Sequence, residues 1–549
     1  GANGPRVDFD RTNLVPFSLD IGSTERLDVN GGGGADTITG SAGLAGLIRL
    51  RLDGGADNDR ITGGDGADVL LGGDGNDVLT GFRGADSVFG GYGSDRMIWN
   101  NGDGSDVMEG GAGYDIVQVN GAVVGDAFTI AANGARVDFD RTNLVPFSLD
   151  IGSTERLDVN GGGGADTITG SAGLAGLIRL RLDGGADNDR ITGGDGADVL
   201  LGGEGNDVLL GDRGADRVYG GNGNDRMIWN NGDGSDVMEG GAGYDTVQVN
   251  GAAVGDAFTI GANGPRVDFD RTNIVTFSLD IGSTERLDVN GGGGADTITG
   301  SAGLAGLIRL RLDGGADNDR ITGGDGADVL LGGEGNDVLL GDRGADRVYG
   351  GNGNDRMIWN NGDGSDVMEG GAGYDIVQVN GAVVGDAFTI AANGARVDFD
   401  RTNLVPFSLD IGSTERLDVN GGGGADTITG SAGLAGLIRL RLDGGADNDR
   451  ITGGDGADVI VGGDGNDVLT GRSDADVFVF DDGTDRITDF DDGVDTIRIV
   501  VNGIDSFADL TGLMSDVGPN AMIDFGNGDR LGLQGVSIVD LDAGDFVFG

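Results

Sequence analysis

The sequence predicts an all-β solenoid: short strands stacked in coils, with a β-rich cap at the C-terminal end. Three observations predict it. A nine-residue pattern, G-G-x-G-x-D-x-U-x with U bulky and apolar, runs in tandem without change of phase. RVDFDRTN begins at Arg6, Arg136, Arg266 and Arg396, a period of 130 residues. Composition agrees: 118 of 549 residues are Gly, only 6 are Pro, and aromatics make up 5%. Several conventional globular cores could not be filled from so few aromatics. A ladder of apolar residues at regular spacing could be.

The pattern is clearest at 63–80, GGDGADVLL followed by GGDGNDVLT. Six residues rich in Gly and Asp turn the chain, because Gly reaches backbone angles closed to other residues. The next three form a short strand whose eighth-position residue, Leu70 or Leu79, faces a narrow core. Such a turn aims carbonyl oxygens inward beside an Asp carboxylate, an all-oxygen setting that suits a hard cation such as calcium. An isolated Asp-Gly pair would mean only a turn. An in-phase run points to metal.

In the first period the nonapeptides fall at 31–39, 54–62, 63–71, 72–80, 81–89, 90–98, 101–109 and 110–118. Their sixth residues are Asp36, Asp59, Asp68, Asp77, Asp86, Asp95, Asp106 and Asp115. The same position recurs as Asp166, Asp189, Asp198, Asp207, Asp216, Asp225, Asp236 and Asp245, then as Asp296, Asp319, Asp328, Asp337, Asp346, Asp355, Asp366 and Asp375. The last five are Asp426, Asp449, Asp458, Asp467 and Asp476. Asp57, Phe82 and Asn101 stand where the pattern has Gly. The expected organisation is three repeat units, 1–130, 131–260 and 261–390, a partial fourth at 391–472, and a C-terminal cap region at 473–549.

Two nonapeptides make one coil of about 18 residues, so alternate turns stack on one side. The stretch 40–53, GSAGLAGLIRLRLD, is then a bare half-coil without the Gly-Asp turn, and 31–39 stacks under 54–62. Ile48, Leu50 and Leu52 alternate with Arg49 and Arg51, as in a strand with one buried face. From 117 to 160 turn carboxylates are sparse and apolar residues alternate, which reads as wider, metal-free coils continuing the helix. After 462–470 the run decays. SFADLTGLMSDVG has the only helix-like spacing in the chain, and this tail suits the cap that a solenoid needs.

Charge and absences narrow the function. Formal net charge is −56, from 92 acidic and 36 basic residues, so nucleic acid and anionic membranes are poor partners. There is no His, Cys or Lys, which removes Ser-His and Cys-His catalysis, disulfides, thiolate sites and lysine chemistry. No run of about 18 apolar residues could cross a membrane as a helix. The chain starts without Met, inside a repeat, as expected of a fragment or processed product. Glu109 and Asp106 share one nonapeptide and are no catalytic pair. The expectation is a protein without enzymatic activity. Trp99, Trp229 and Trp359 recur in MIWNN; covering an irregular coil is favoured over a sugar-binding stripe.

The nonapeptides resemble those of the RTX (repeats-in-toxin, haemolysin-type) secreted bacterial proteins. The tail, ADVFVF…DRITDFDDGVDTIRI…FADL…DFGNGDRLGLQGVSIVDLDAGDFVF, is similar to C-terminal regions of RTX proteases. The resemblance implies an elongated right-handed parallel β-roll, and export by a type I secretion apparatus that reads the last few dozen residues. It also implies the ligands. One calcium lies between stacked turns, held by second- and fourth-residue carbonyls and the Asp of the earlier turn, and by first- and third-residue carbonyls and the Asp of the later one. Here that gives Gly64, Gly66 and Asp68 with Gly81, Arg83 and Asp86. It gives Gly73, Gly75 and Asp77 with Gly90, Tyr92 and Asp95, and Gly55, Asp57 and Asp59 with Gly72, Asp74 and Asp77. Across the bare half-coil it gives Gly32, Gly34 and Asp36 with Gly54, Ala56 and Asp59.

About 20 calcium ions would offset most of the net charge. The expected protein is secreted, extracellular or on a bacterial cell surface, and folds on calcium after export. It would act as an adhesin stalk, surface layer or matrix component, with self-assembly or a cell-surface partner. The alternative is the non-catalytic calcium-binding and export region of a larger secreted hydrolase.

Overall fold

The computed structural model describes all residues 1–549. It divides into two compact units, Gly1–Asn250 with Asn263–Asp270 and Val275–Leu287, and Gly251–Ala262 with Arg271–Ile274 and Asp288–Gly549. Each is a parallel β-solenoid built from two ladders of strands.

In the first unit one ladder runs through Arg26–Gly33, Arg49–Ala56, Val69–Asp74, Ser87–Tyr92 and Asp106–Ala112. The facing ladder runs through Thr37–Thr39, Arg60–Thr62, Val78–Thr80, Arg96–Asn100 and Ile116–Asn120. Eighth-position residues Ile61, Leu70, Leu79, Val88 and Met97 are fully buried between them. In the bare half-coil Ile48, Leu50 and Leu52 are buried, and Arg51 pairs outside with Asp53 at 3.3 Å.

Successive coils approach so closely that glycine is required on steric grounds as well as conformational ones. Gly73 has φ 111°, and a Cβ there would lie 2.1 Å from the Gly55 carbonyl oxygen one coil earlier. Gly73→Ala is therefore expected to destabilise the calcium-loaded protein by about 1–3 kcal/mol. Thermal denaturation in calcium checks this, and an unchanged midpoint would count against such tight stacking.

The stretch expected to form wider coils is instead an antiparallel meander. Ala127–Asn133, Arg136–Arg141 and Phe147–Gly152 pair antiparallel in sequence order. The meander is spliced into the first ladder: Phe147–Gly152 lies parallel to Asp106–Ala112, and Ala127–Asn133 lies parallel to Thr167–Gly170. On the other ladder Ile116–Asn120 pairs directly with Arg156–Gly163. The physical reason lies in Phe128, Phe139 and Phe147, whose rings pack together with centroids 5.0–6.4 Å apart. That cluster fills a width that single-file coils would leave open.

The meander also exchanges the two faces. The long strand Arg49–Ala56 belongs to one ladder, whereas its counterpart 130 residues later, Arg179–Ala186, belongs to the other. In the second unit Arg309–Ala316 and Arg439–Ala446 are likewise on different ladders.

At the C-terminal end, Thr484–Ile487 and Thr496–Ile499 still extend the two ladders of the second unit. The meander Met514–Val517, Asn520–Gly526 and Asp529–Leu533 then pairs with one of them, and Phe546–Phe548 with the other. The helix-like segment is a single turn, Phe507–Leu510.

Candidate metal centres

Each nonapeptide turn ends in an acidic residue that the stacking carries inside. Every sixth-position Asp from Asp59 to Asp476 named above is buried, while Asp36 at the start of its ladder is half-buried. Their Oδ1 atoms form a relay. Asp59 N–H donates to Asp77 at 2.7 Å, Asp77 N–H to Asp95 at 2.8 Å, and Asp68 N–H to Asp86 at 2.8 Å, each 18 residues on. Asp36 N–H reaches Asp59 across 23 residues, at 2.8 Å. The second oxygen is the telling one. Oδ2 of Asp36, Asp59, Asp68, Asp77, Asp86, Asp95 and Asp115 is buried with no hydrogen-bond partner, and most of the later ladder aspartates repeat this.

Main-chain oxygens crowd the same gaps. The Gly55 carbonyl points forward onto Gly73, and those of Asp57 and Gly66 point onto Gly75 and Gly84. The Gly72 and Gly90 carbonyls point back onto Gly54 and Gly72. Arg83 and Tyr92 also turn their carbonyls back, accepting the N–H of Gly66 at 2.6 Å and of Gly75 at 2.8 Å. Between two stacked turns there are thus two carboxylates and several carbonyl oxygens, an oxygen-only donor set of the kind calcium takes. No three ligating side chains converge anywhere, so an ion held here would take most of its donors from the backbone.

Without a cation this arrangement is costly. Burial pushes the Asp86 carboxyl up to about 8, opposed by the Asp68 N–H and reinforced by the charges of Asp106 and Asp68. Asp216 and Asp346 are pushed up to about 8 by the same causes, and Asp106, Asp166 and Asp198 to about 7, burial leading in each. Buried carboxylates without a partner must bind protons or a cation.

The family comparison fits this geometry. The model of the RTX calcium-binding nonapeptide repeat (4 copies) matches residues 28–43, 51–79, 62–97, 101–121, 158–173, 181–209, 201–228, 230–251, 288–303, 311–339, 331–358, 360–381, 418–433, 441–469 and 452–487. These segments make up more than half of the chain. The protein belongs to this RTX repeat family. RTX nonapeptide repeats bind calcium. Among solved structures, the extracellular lipase LipA from Serratia marcescens is similar over 47% of this chain and 45% of its own, at 17% identity and a TM-score of 0.19. No curated protein matches.

The RTX ladder extends beyond the positions chosen from sequence. Asp126 and Glu155 take sixth positions in 121–129 and 150–158, turns stripped of most of their glycines. Asp115 N–H donates to Glu155 Oε2 at 2.7 Å, and Asp126 N–H to Asp166 Oδ1, both across 40 residues. The ladder also runs past 462–470. Asp467 N–H donates to Asp485 at 2.9 Å and Asp476 N–H to Asp495 at 3.0 Å. An acid at position six and an apolar residue at position eight (Phe128, Leu157, Ile487, Ile497) were the remaining signals.

The insertion of Trp99 and Asn100 leaves the stacking intact: Asp86 N–H still meets Asp106 at 2.9 Å and Asp95 N–H meets Asp115 at 2.8 Å, both now 20 residues on. Trp99 is fully buried, stacked on Phe147 at 3.7 Å, with Nε1 donating to the Gly104 carbonyl at 2.8 Å. It lies in the core, with no face for a sugar. Glu109 pairs with Arg136.

Proposed function

We propose that this protein is a secreted, calcium-stabilised structural component of a bacterial surface or extracellular matrix, such as an adhesin stalk or surface layer. It has no catalytic part in these residues, it leaves the cell through a type I apparatus, and it folds outside. The observation that carries this reading is the ladder of buried, uncompensated carboxylates recurring in every repeat. Extracellular calcium modules bind at about 0.1–1 mM, so the ladder fills outside a cell and stays empty inside one. A chain of net charge −56 and without Cys crosses an exporter unfolded with nothing to crosslink or collapse it. Ions sit between successive turns, through the donor sets assigned above, and number about 20. The 130-residue repetition presents the same chemistry again and again, which suits an architectural role.

Electron microscopy of the secreted material in millimolar calcium tests this. Assembled arrays, or material bound along the cell envelope, are expected. Only dispersed single molecules, with none on cells, would sink the architectural reading.

A further inference from the structure

Once per repeat the relay of carboxylates along one edge is interrupted by the meander. It passes from Asp86 to Asp106, and resumes from Asp126 to Asp166. Arg141, the last residue of the middle strand Arg136–Arg141, fills the break. Its Nη1 lies 3.3 Å from Asp126 Oδ1 and donates to Asn101 Oδ1 at 2.8 Å. Nε and Nη2 donate to the Val145 carbonyl at 2.9 and 2.8 Å. The guanidinium sits 5.7 Å from the Trp99 ring and 5.0 Å from the Phe147 ring. Arg141 and Asp126 are both almost wholly buried.

Asp126 differs from most of the ladder acids, whose Oδ2 has no partner, and from Asp458, whose two oxygens are met by backbone N–H groups alone. Oδ2 of Asp126 accepts the Ala122 N–H at 2.6 Å and its Oδ1 has Arg141, so neither oxygen is left over. The arrangement recurs. Arg401 meets Asp386 at 3.3 Å, Asn361 at 2.8 Å and the Val405 carbonyl at 2.9 Å, beside Trp359 and Phe407. Arg271 meets Asp256 at 3.2 Å, again buried.

We propose that Arg141, Arg271 and Arg401 are built-in counter-cations that take the place of a calcium ion at the meander. One junction per repeat is then held without metal while the coils on either side depend on it. This rests on the calcium reading of the ladder and specifies how that ladder is divided. A guanidinium suits the position: it stays charged at any relevant pH, its planar fork satisfies several acceptors at once, and it stacks on aromatic rings. A buried carboxylate held in that way needs no further charge.

The three tryptophans, Trp99, Trp229 and Trp359, stand at these meanders and at no other place in the chain, stacked on Phe147, Phe277 and Phe407. They report on the junctions alone. The experiment is stepwise EGTA addition to the full calcium-loaded chain, followed by far-UV circular dichroism and by acrylamide quenching of tryptophan. Loss of most β signal is expected while the tryptophans stay shielded from acrylamide. Exposure of the tryptophans in step with the β signal would overturn the proposal. In the triple variant Arg141→Gln, Arg271→Gln and Arg401→Gln, tryptophan shielding is expected to become calcium-dependent. Shielding that survives chelation in that variant would overturn it too. If the variant does not fold even in calcium, the wild-type quenching curve decides alone. A β signal untouched by EGTA in the wild type overturns the calcium reading beneath, a result distinct from coincident loss of both signals.

Discussion

Chelation of calcium near pH 7.5 is expected to convert the chain from β structure to coil, and acidification to about pH 4 to restore β structure without calcium. Both follow from the same carboxylates. In the calcium-free fold, burial raises Asp86, Asp216 and Asp346 to about 8, and Asp106, Asp166, Asp198 and Asp236 to about 7, from an ordinary value of 3.8. A group whose folded pKa lies above its unfolded one stabilises the fold in its protonated form. That contribution is complete below about pH 4 and is lost as pH rises through about 6 to 8. Calcium acts in the opposite direction, because it competes with protons for the same oxygens and binds more tightly as pH rises. Circular dichroism across pH 4–8, with and without EGTA, measures both arms. A β signal indifferent to EGTA at neutral pH, or a calcium-free chain no more ordered at pH 4 than at pH 7.5, would overturn the account.

The second large effect is expected at Asp77, which lies between two turns. Its Oδ1 accepts the Asp59 N–H at 2.7 Å, its own N–H goes to Asp95 at 2.8 Å, and its Oδ2 has no partner. On our assignment it contributes to two calcium sites. Asp77→Ala removes a buried hydrogen bond, at a cost of about 1–3 kcal/mol, together with a ligand to two ions. Asp36→Ala, at the half-buried start of the ladder, removes a ligand to one. Asp77→Asn separates the two causes: its amide oxygen still accepts the Asp59 N–H, but the charge is gone. If the aspartates serve calcium, Asn raises the calcium concentration needed for folding nearly as much as Ala does. If they serve only the relay, Asn behaves like the wild type. Calcium titration by circular dichroism distinguishes these outcomes. In a solenoid whose coils touch only their neighbours, hydrogen exchange should localise the loss to coils around 54–98.

The solenoid was legible because its signals are local. Leu70 and Leu79 sit at a fixed offset from Asp68 and Asp77, so core and carboxylate positions follow from a single register. The alternation of Ile48, Leu50 and Leu52 with Arg49 and Arg51 identified the buried face of a strand whose turn lacks Asp. Asp126, Glu155, Asp485 and Asp495 escaped notice for the converse reason. Their turns have shed most of the glycines that mark the motif, and their places are set by partners up to 40 residues away.

By itself, then, the sequence determined the repeat, the two-motif coil and the inward carboxylates, because nine-residue periodicity is written directly in residue type. Tertiary structure alone decided what lies between the runs. The antiparallel pairing of Ala127–Asn133, Arg136–Arg141 and Phe147–Gly152 leaves no periodic trace, since alternating strands look alike whether they run parallel or antiparallel. The exchange of ladders between Arg49–Ala56 and Arg179–Ala186 depends on how many half-coils the meander spans, a quantity fixed by packing. Arg141 reads in sequence as one more Arg beside an Asp. Only the folded chain encloses it with Asp126, Trp99 and Phe147, and so gives a surface-type residue a buried charge to neutralise.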